Sequence, residues 1–241
     1  MDWADRQSEM EHWYRQFSGR DDAAEALAHD YRPYTCFLKS LRGSILDIGG
    51  GAGFAARYMD PTTEYLVIDP SPMWAGEEWA ALSRKLSTTG TQPRFIMGVG
   101  EKLPFDDGRF DAALSFWALN HVADPHRCVG QMHRVLKPGG QALVVLEDME
   151  PSWTDVAQKA LRSAARWFGV RAGALDWHQP EVSSVARTLL HKMAGKPWPL
   201  QPDHVRIDER DFQRWINGCF TVVRRTWKGG YLSYQLARGP A

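Results

Sequence analysis

Apolar residues fall along this chain in short blocks, and the spacing inside the blocks switches between two periods. SILDIG (44–49) is apolar on both faces apart from one acid, which is the pattern of a central parallel strand. EYLVID (64–69), RFIMG (94–98), FDAALSF (110–116) and QALVVLE (141–147) repeat it. Between them the spacing is helical. GFAARYM begins a short helix that must end by Pro61, and PMWAGEEWAALSRKL (72–86) sets Trp79, Leu82 and Leu86 at i, i+3 and i+7. HRCVGQMHRVL (126–136) is amphipathic and is closed by Lys137-Pro138-Gly139-Gly140. Five strands alternating with helices predict a parallel sheet wrapped by right-handed crossovers.

The rhythm differs at both ends. Residues 8–42 read as helical pieces, with Pro33 ending one and starting the next. Residues 151–205 are helical but irregular, rich in Trp and Pro. DERDFQRWI (208–216) is a helix, and CFTVVRRTW and YLSYQLAR are two strands whose KGG link is so short that they must be antiparallel. The predicted fold class is α/β: a seven-stranded, mostly parallel sheet with an antiparallel C-terminal hairpin and helices on both faces. The expected organisation is one domain over 1–241, with an N-terminal helical cap at 1–42 and a ligand-binding core at 43–150. A helical insertion at 151–207 completes the cap, and 208–241 supplies the last helix and the hairpin.

Length and charge narrow the partners. A chain of 241 residues suits one substantial α/β domain. Its formal net charge of zero gives no general attraction to nucleic acid or an anionic membrane. The charge is unevenly placed: residues 1–30 carry eight acids against three Arg, and residues 206–238 carry seven Lys or Arg against three acids. These read as two solvated faces. No apolar run approaches the roughly 20 residues of a membrane span. The acidic start, MDWADRQSEMEHWY, lacks a secretory h-region, and Cys36, Cys128 and Cys219 are odd in number and far apart. A cytoplasmic protein without disulfides is expected.

The chemistry gathers after the first strand, in ILDIGGGAGFAARYM (45–59). Ligands of open α/β sheets sit at the carboxyl ends of the strands, where glycines let the backbone approach them closely. Asp69 ends the second strand 20 residues after Gly49, a place suited to ribose hydroxyls. A dinucleotide loop needs G-x-G-x-x-G, but residue 54 is Phe54 when the count starts at Gly49, and residue 52 is Ala52 when it starts at Gly50. What stands instead is D-x-G-x-G-x-G: Asp47, Gly49, Gly51 and Gly53.

With this loop, VIDPSPMW, GEKLPFDDGRFDAALS and HRVLKPGG in that order, the chain strongly resembles class I S-adenosylmethionine-dependent methyltransferases of the small-molecule, type 11-like subgroup. The resemblance covers about residues 43–147 and implies a Rossmann-like fold with S-adenosylmethionine as methyl donor and S-adenosylhomocysteine as product. It implies that Asp47, Gly49, Gly50, Gly51 and Gly53 lie against the methionine part and that Asp69 and Pro70 hold the ribose. Met73 or Trp74 would flank the adenine, and Ser115 and Phe116 would close the site at the end of the fourth strand. Where the subgroup often has an Asp that reads the adenine amino group, this chain has Val99, followed by Gly100 and Glu101. That leaves the contact to the backbone of Val99–Gly100.

SFWALNHVADP (115–125) is where the acceptor is expected to meet the methyl group. Trp117 lies beside the ligand in this reading. His121 falls where the subgroup commonly has a His; it is the candidate general base, with capping of local backbone as the plainer alternative. The [DN]-P-P-[YF] tetrapeptide of nucleic-acid amino methylation is absent, as is a Pro-Cys nucleophile. Asn120 with Asp124 and His126 with His133 lack a metal-binding pattern, so neither a metal nor nucleic acid is expected. Aromatic residues crowd both cap regions: Trp3, Trp13, Tyr14, Phe17, Tyr31 and Tyr34 in front, then Trp153, Trp167, Phe168, Trp177 and Trp198 behind. They suit a flat or cationic acceptor as well as burial of short helices. Tyr14, Trp117 and Trp177 are the substrate-binding candidates, with Trp177 and His178 in a lid.

The expected partner is a small-molecule acceptor methylated at O or N, with no nucleic acid or membrane and a monomeric or homodimeric state. Two other readings stay open: a relative that binds S-adenosylmethionine as a regulatory module or cyclisation catalyst without passing on the methyl, and a nicotinamide oxidoreductase, which the loop spacing disfavours.

Overall fold

The computed structural model describes residues 3–18, 22–86, 91–167, 182–228 and 230–240. Strands β1 (Ser44–Ile48), β2 (Glu64–Asp69), β3 (Arg94–Met97), β4 (Phe110–Phe116), β5 (Leu136–Leu146), β6 (Phe220–Lys228) and β7 (Tyr231–Arg238) form one sheet in the order β3-β2-β1-β4-β5-β7-β6. The pairs among β1–β5 are parallel, and β7 is antiparallel to both of its neighbours. Strand order reverses between β1 and β4, so a crevice opens beyond their carboxyl ends.

Alternation along the strands divides the core. Leu46, Ile48, Leu66 and Ile68 face Val129 and Met132 of α5 (Pro125–Val135) and Phe212 and Ile216 of α8 (Glu209–Ile216). Ile45, Tyr65, Val67 and Leu114 face the opposite side, against Tyr31 of α2 (Ala23–Tyr31), Leu38 of α3 (Thr35–Ser40) and Trp79 of α4 (Glu77–Leu86). The remaining helices are α1 (Trp3–Ser18), α6 (Trp153–Trp167) and α7 (Val182–Met193). The helix α6 is tied to the hairpin by Arg225, whose guanidinium meets both oxygens of Asp155 at 2.7 Å and Glu209 of α8 at 2.6 and 2.9 Å. No described helix is long and apolar enough to cross a membrane.

Three elements depart from expectation for local reasons. The segment after the glycine loop is a five-residue 3-10 helix, Phe54–Tyr58, entered from Gly53 in the left-handed region (φ 73) and left through an extended Met59. Five residues before Pro61 leave no room for settled α-helical pairing. Residues 72–86 split into a 3-10 turn, Pro72–Ala75, and α4, because Gly76 between them is extended. KPGG is the bulged start of β5 rather than a terminating turn, since Leu136 pairs with Phe110 and the register then shifts before Ala112.

Candidate functional site

Beyond β1 the chain turns through Gly49 (φ 69), Gly51 (φ 54) and Gly53 (φ 73), conformations that a side chain strains. Close packing adds to the need for glycine. A Cβ at Gly49 would stand 2.3 Å from that of Ala118, and one at Gly50 would stand 2.6 Å from the Asp47 carboxyl carbon. Gly50→Ala is therefore expected to cost about 1–3 kcal/mol, seen as a lower melting temperature, because Asp47 is buried and cannot swing away. An unchanged melt would show that the loop yields freely.

Two acids support the turn. Asp69, at the end of β2, accepts hydrogen bonds from the Gly51 amide at 3.2 Å and the Ser71 amide at 3.0 Å. Burial lifts its carboxyl to about 6, opposed by those two donors. Asp47 lies lower, fully buried, and accepts from the Tyr65 hydroxyl at 2.5 Å. Burial pushes it to about 7; the Tyr65 bond opposes this and the Asp69 charge adds to it. The Asp47 Oδ1 has no hydrogen-bond partner among the described residues.

The loop floors a cavity of about 880 Å³. Of the expected residues, Gly49, Gly50, Gly51, Asp69, Pro70, Val99, Gly100, Glu101, Phe116, Trp117, Tyr14 and His121 line it. Four others do not. Asp47 sits beneath the turn on Tyr65, and Gly53 packs against Pro93 and Tyr65. Met73 packs on the apolar core, where Trp74 lines the cavity in its place, and Ser115 is buried within the sheet. Glu101 reaches the cavity, but its Oε1 accepts from the Ala123 and Asp124 amides, so it also fixes the entry to α5. Trp177 and His178 lie outside the described residues.

Of the two cap regions, the front one supplies the described aromatic side chains of the cavity wall. Trp3, Trp13, Tyr14 and Tyr31 line the cavity, whereas Trp153 is exposed and Trp198 packs beside Trp227. Tyr14 stacks edge-on against Trp74, its ring centroid 4.7 Å away, and burial raises its hydroxyl well above the usual range. Trp117 meets Tyr31 at 5.0 Å and Tyr231 at 6.2 Å. Its φ of 57 is rare for so bulky a residue, and its amide is held by the Val145 carbonyl at 2.9 Å. The buried indole nitrogen of Trp117 has no hydrogen-bond partner among the described residues. Six carboxylates, from Glu9, Asp30, Asp69, Glu101, Glu147 and Asp203, line the cavity, and none of its described lining residues is Lys or Arg.

The described residues of the insertion that line the cavity, Gln201, Asp203 and His204, are polar. Asn120, 1% exposed, donates from Nδ2 to the carbonyls of Glu147 and Val205 and accepts from the Glu147 amide. Its own carbonyl accepts from the Val205 amide at 2.6 Å. This clamp sets Asp203 and His204 beside His121 and Glu147. The two imidazole rings meet edge to face, 4.4 Å between centroids. Glu147 had a legible signal, an acid at the carboxyl end of a predicted strand. Asp203 and His204 had none, because nothing in an irregular, Pro-rich stretch shows where it folds back.

The fold has counterparts among known proteins. A family described as a methyltransferase domain matches residues 46–144. An uncharacterized methyltransferase of Mycolicibacterium gilvum (strain PYR-GCK) is 40% identical over 102 residues, 42% of this chain and 38% of that protein. The chain thus spans well under half the length of such curated relatives. Among solved structures, the magnesium protoporphyrin IX methyltransferase of Synechocystis PCC 6803 with bound S-adenosylhomocysteine superposes with a TM-score of 0.58 at 12% identity, over 96% of this chain and 95% of that one. The N-methyltransferase NodS of Bradyrhizobium japonicum WM9, also holding S-adenosylhomocysteine, gives 0.54 at 13% identity over 93% and 95%. At such identities the likeness speaks for the fold alone.

Proposed function

We infer that this chain, which belongs through its core at residues 46–144 to the class I S-adenosylmethionine-dependent methyltransferases, transfers a methyl group to an oxygen or nitrogen of a small, neutral or cationic, ring-bearing acceptor. The observation that carries the reading is one cavity lined together by the glycine turn, Asp69, His121 and aromatic side chains. The chain's own groups fit the cofactor. Asp69 is placed for the ribose, Trp74 and the Val99–Gly100 backbone for the adenine, and the glycine turn for the methionine part. The unpaired Trp117 indole donor suits an acceptor atom of the ligand. A lining with six carboxylates and no described Lys or Arg suits a ligand carrying a sulfonium and an ammonium.

When bound, S-adenosylmethionine supplies a methyl carbon whose bond to sulfur breaks as the acceptor's lone pair attacks it. The protein aligns the acceptor and excludes water. Tyr14, Tyr31 and Trp117 hold its ring, and an acceptor proton released in the step passes to His121. Anionic acceptors are disfavoured by the acidic lining, and a cation gains from the ring faces. We assign the whole chain to one catalytic domain acting in the cytoplasm, as a monomer or homodimer, without nucleic acid or membrane.

The test is a thermal shift followed by a transfer assay. S-adenosylhomocysteine at about 100 times its dissociation constant should add roughly 2.7 kcal/mol to stability. Labelled methyl from S-adenosylmethionine should then appear on members of a panel of aromatic amines and phenols. Stabilisation by NAD alone would refute the cofactor assignment. Binding of S-adenosylhomocysteine with no transfer to the panel or to a cell extract would favour a binding relative that keeps its methyl.

A further inference from the structure

His121, Asp203 and His204 each present a ligand atom, and these atoms all lie within 4.8 Å of one another. His121 Nδ1 is 3.6 Å from Asp203 Oδ2, and His204 Nε2 is 4.0 Å from Asp203 Oδ1. Glu147 Oε2 lies 3.6 Å from His121 Nε2 and 3.6 Å from His204 Nε2. Every one of these gaps is too long for a hydrogen bond. The gaps from Asp203 to His121 Nδ1 and to His204 Nε2 are near the separation of two donors bound to one ion: bonds of about 2.1 Å at a tetrahedral angle put ligand atoms roughly 3.4 Å apart. Glu147 faces the other nitrogen of His121 and so adjoins the set instead of completing it.

A second observation points the same way. His121 Nδ1 is buried without a hydrogen-bond partner among the described residues. The His204 side chain is only 3% exposed, and Asp148 Oδ2, 2.8 Å from its Nδ1, leaves Nε2 as the nitrogen turned to Asp203 and Glu147.

We propose that His121, His204 and Asp203 form a binding site for a divalent transition-metal ion at the acceptor end of the cavity, with Glu147 as the adjoining carboxylate. Two imidazoles favour zinc, cobalt, manganese or iron(II) over magnesium or calcium, which prefer oxygen donors. Asp148 is placed to take the Nδ1 proton of His204 and leave Nε2 for the ion, an outer-shell role that fixes the tautomer. The spacing of residues along the chain gave no sign of this site, because its parts come from the ends of two strands and from the insertion. In the loaded protein His121 is occupied as a ligand, and Glu147 is the group left to accept an acceptor's proton.

The experiment uses the whole purified chain, stripped with a chelator and titrated with Co²⁺ while the visible d–d absorption is recorded. One Co²⁺ per chain, displaced by Zn²⁺, is expected. His204→Gln and Asp203→Asn should each weaken binding about 100-fold or more, and Asp148→Asn about 10-fold. Far-ultraviolet circular dichroism and a cooperative melt report whether each variant is folded; if the ligand variants fail these, the Asp148→Asn affinity decides. Absence of a Co²⁺ spectrum in the parent chain, or equal affinity in the folded variants, overturns the site. The readout is metal binding, so it stands or falls apart from methyl transfer.

Discussion

Asp69→Ala is expected to weaken S-adenosylhomocysteine binding about 100-fold or more, measured by titration calorimetry at about pH 8. The Asp69 carboxylate is buried, lines the cavity and is already oriented by the Gly51 and Ser71 amides, and in the proposed reading it accepts from the ribose hydroxyls. Hydrogen bonds to a charged acceptor contribute about 1.5–3 kcal/mol each, so loss of a ribose diol contact costs about 3 kcal/mol, roughly two decades in affinity. Removing the carboxylate also frees the Gly51 amide and loosens the turn.

The same residue sets a pH dependence with a definite sign. Burial holds the Asp69 carboxyl at about 6 in the free protein, so below that value it carries a proton and cannot accept from both hydroxyls. Parent affinity should therefore fall about tenfold per unit as pH drops below 6, and level off above about 7. The Asp69→Ala variant should lack this limb; its persistence with the same midpoint would assign it elsewhere. Folding stability runs the other way. Asp69 at about 6 and Asp47 at about 7 bind protons in the folded chain that the unfolded chain has released above about 4. Their contribution to the stability of the free protein declines as pH rises through that window.

The glycine turn was legible because its residues serve needs that spacing records. Positive φ at Gly49 and Gly51 and the close approach of Gly50 to Asp47 demand glycine at fixed offsets, and Asp69 ends a strand whose apolar run marks its length. Parallel pairing of the first five strands followed from the alternation of periods, and the hairpin from a link too short for a crossover. The acceptor end was only half visible. Tyr14 and Trp117 could be picked as aromatic residues, but equal weight fell on the rings of the insertion, and of its described ones Trp153 faces solvent and Trp198 covers Trp227. Composition gives the number of rings and not their direction. Asp203 and His204 reach the cavity through the hydrogen bonds of Asn120, which span 27 and 85 positions, and no local period encodes such a contact.

His121→Ala and Asn120→Ala are expected to lower turnover alike, by about 100-fold or more, while differing in stability. His121 faces the cavity and carries little of the core, so its loss removes the proton acceptor of the metal-free site, or a ligand of the loaded one, and leaves the melting temperature nearly unchanged. Asn120 takes no part in either role, yet it is the clamp that holds Glu147 and Val205 together. Its truncation leaves the Glu147 amide and two carbonyls without their side-chain partner. With the Val205 amide still bonded to the residue 120 carbonyl, the cost is about 3 kcal/mol, or roughly 6–12 °C in a domain of this size. Neither residue belongs to the glycine turn or contacts Asp69, so S-adenosylhomocysteine affinity should change little in both. Full turnover in His121→Ala would show that the acceptor sheds its proton without this ring. A lower melting temperature with full turnover in Asn120→Ala would show that methyl transfer does not depend on the assembled cluster. If instead both lose turnover and only Asn120→Ala melts early, the 203–205 loop is part of the reaction site because Asn120 holds it there.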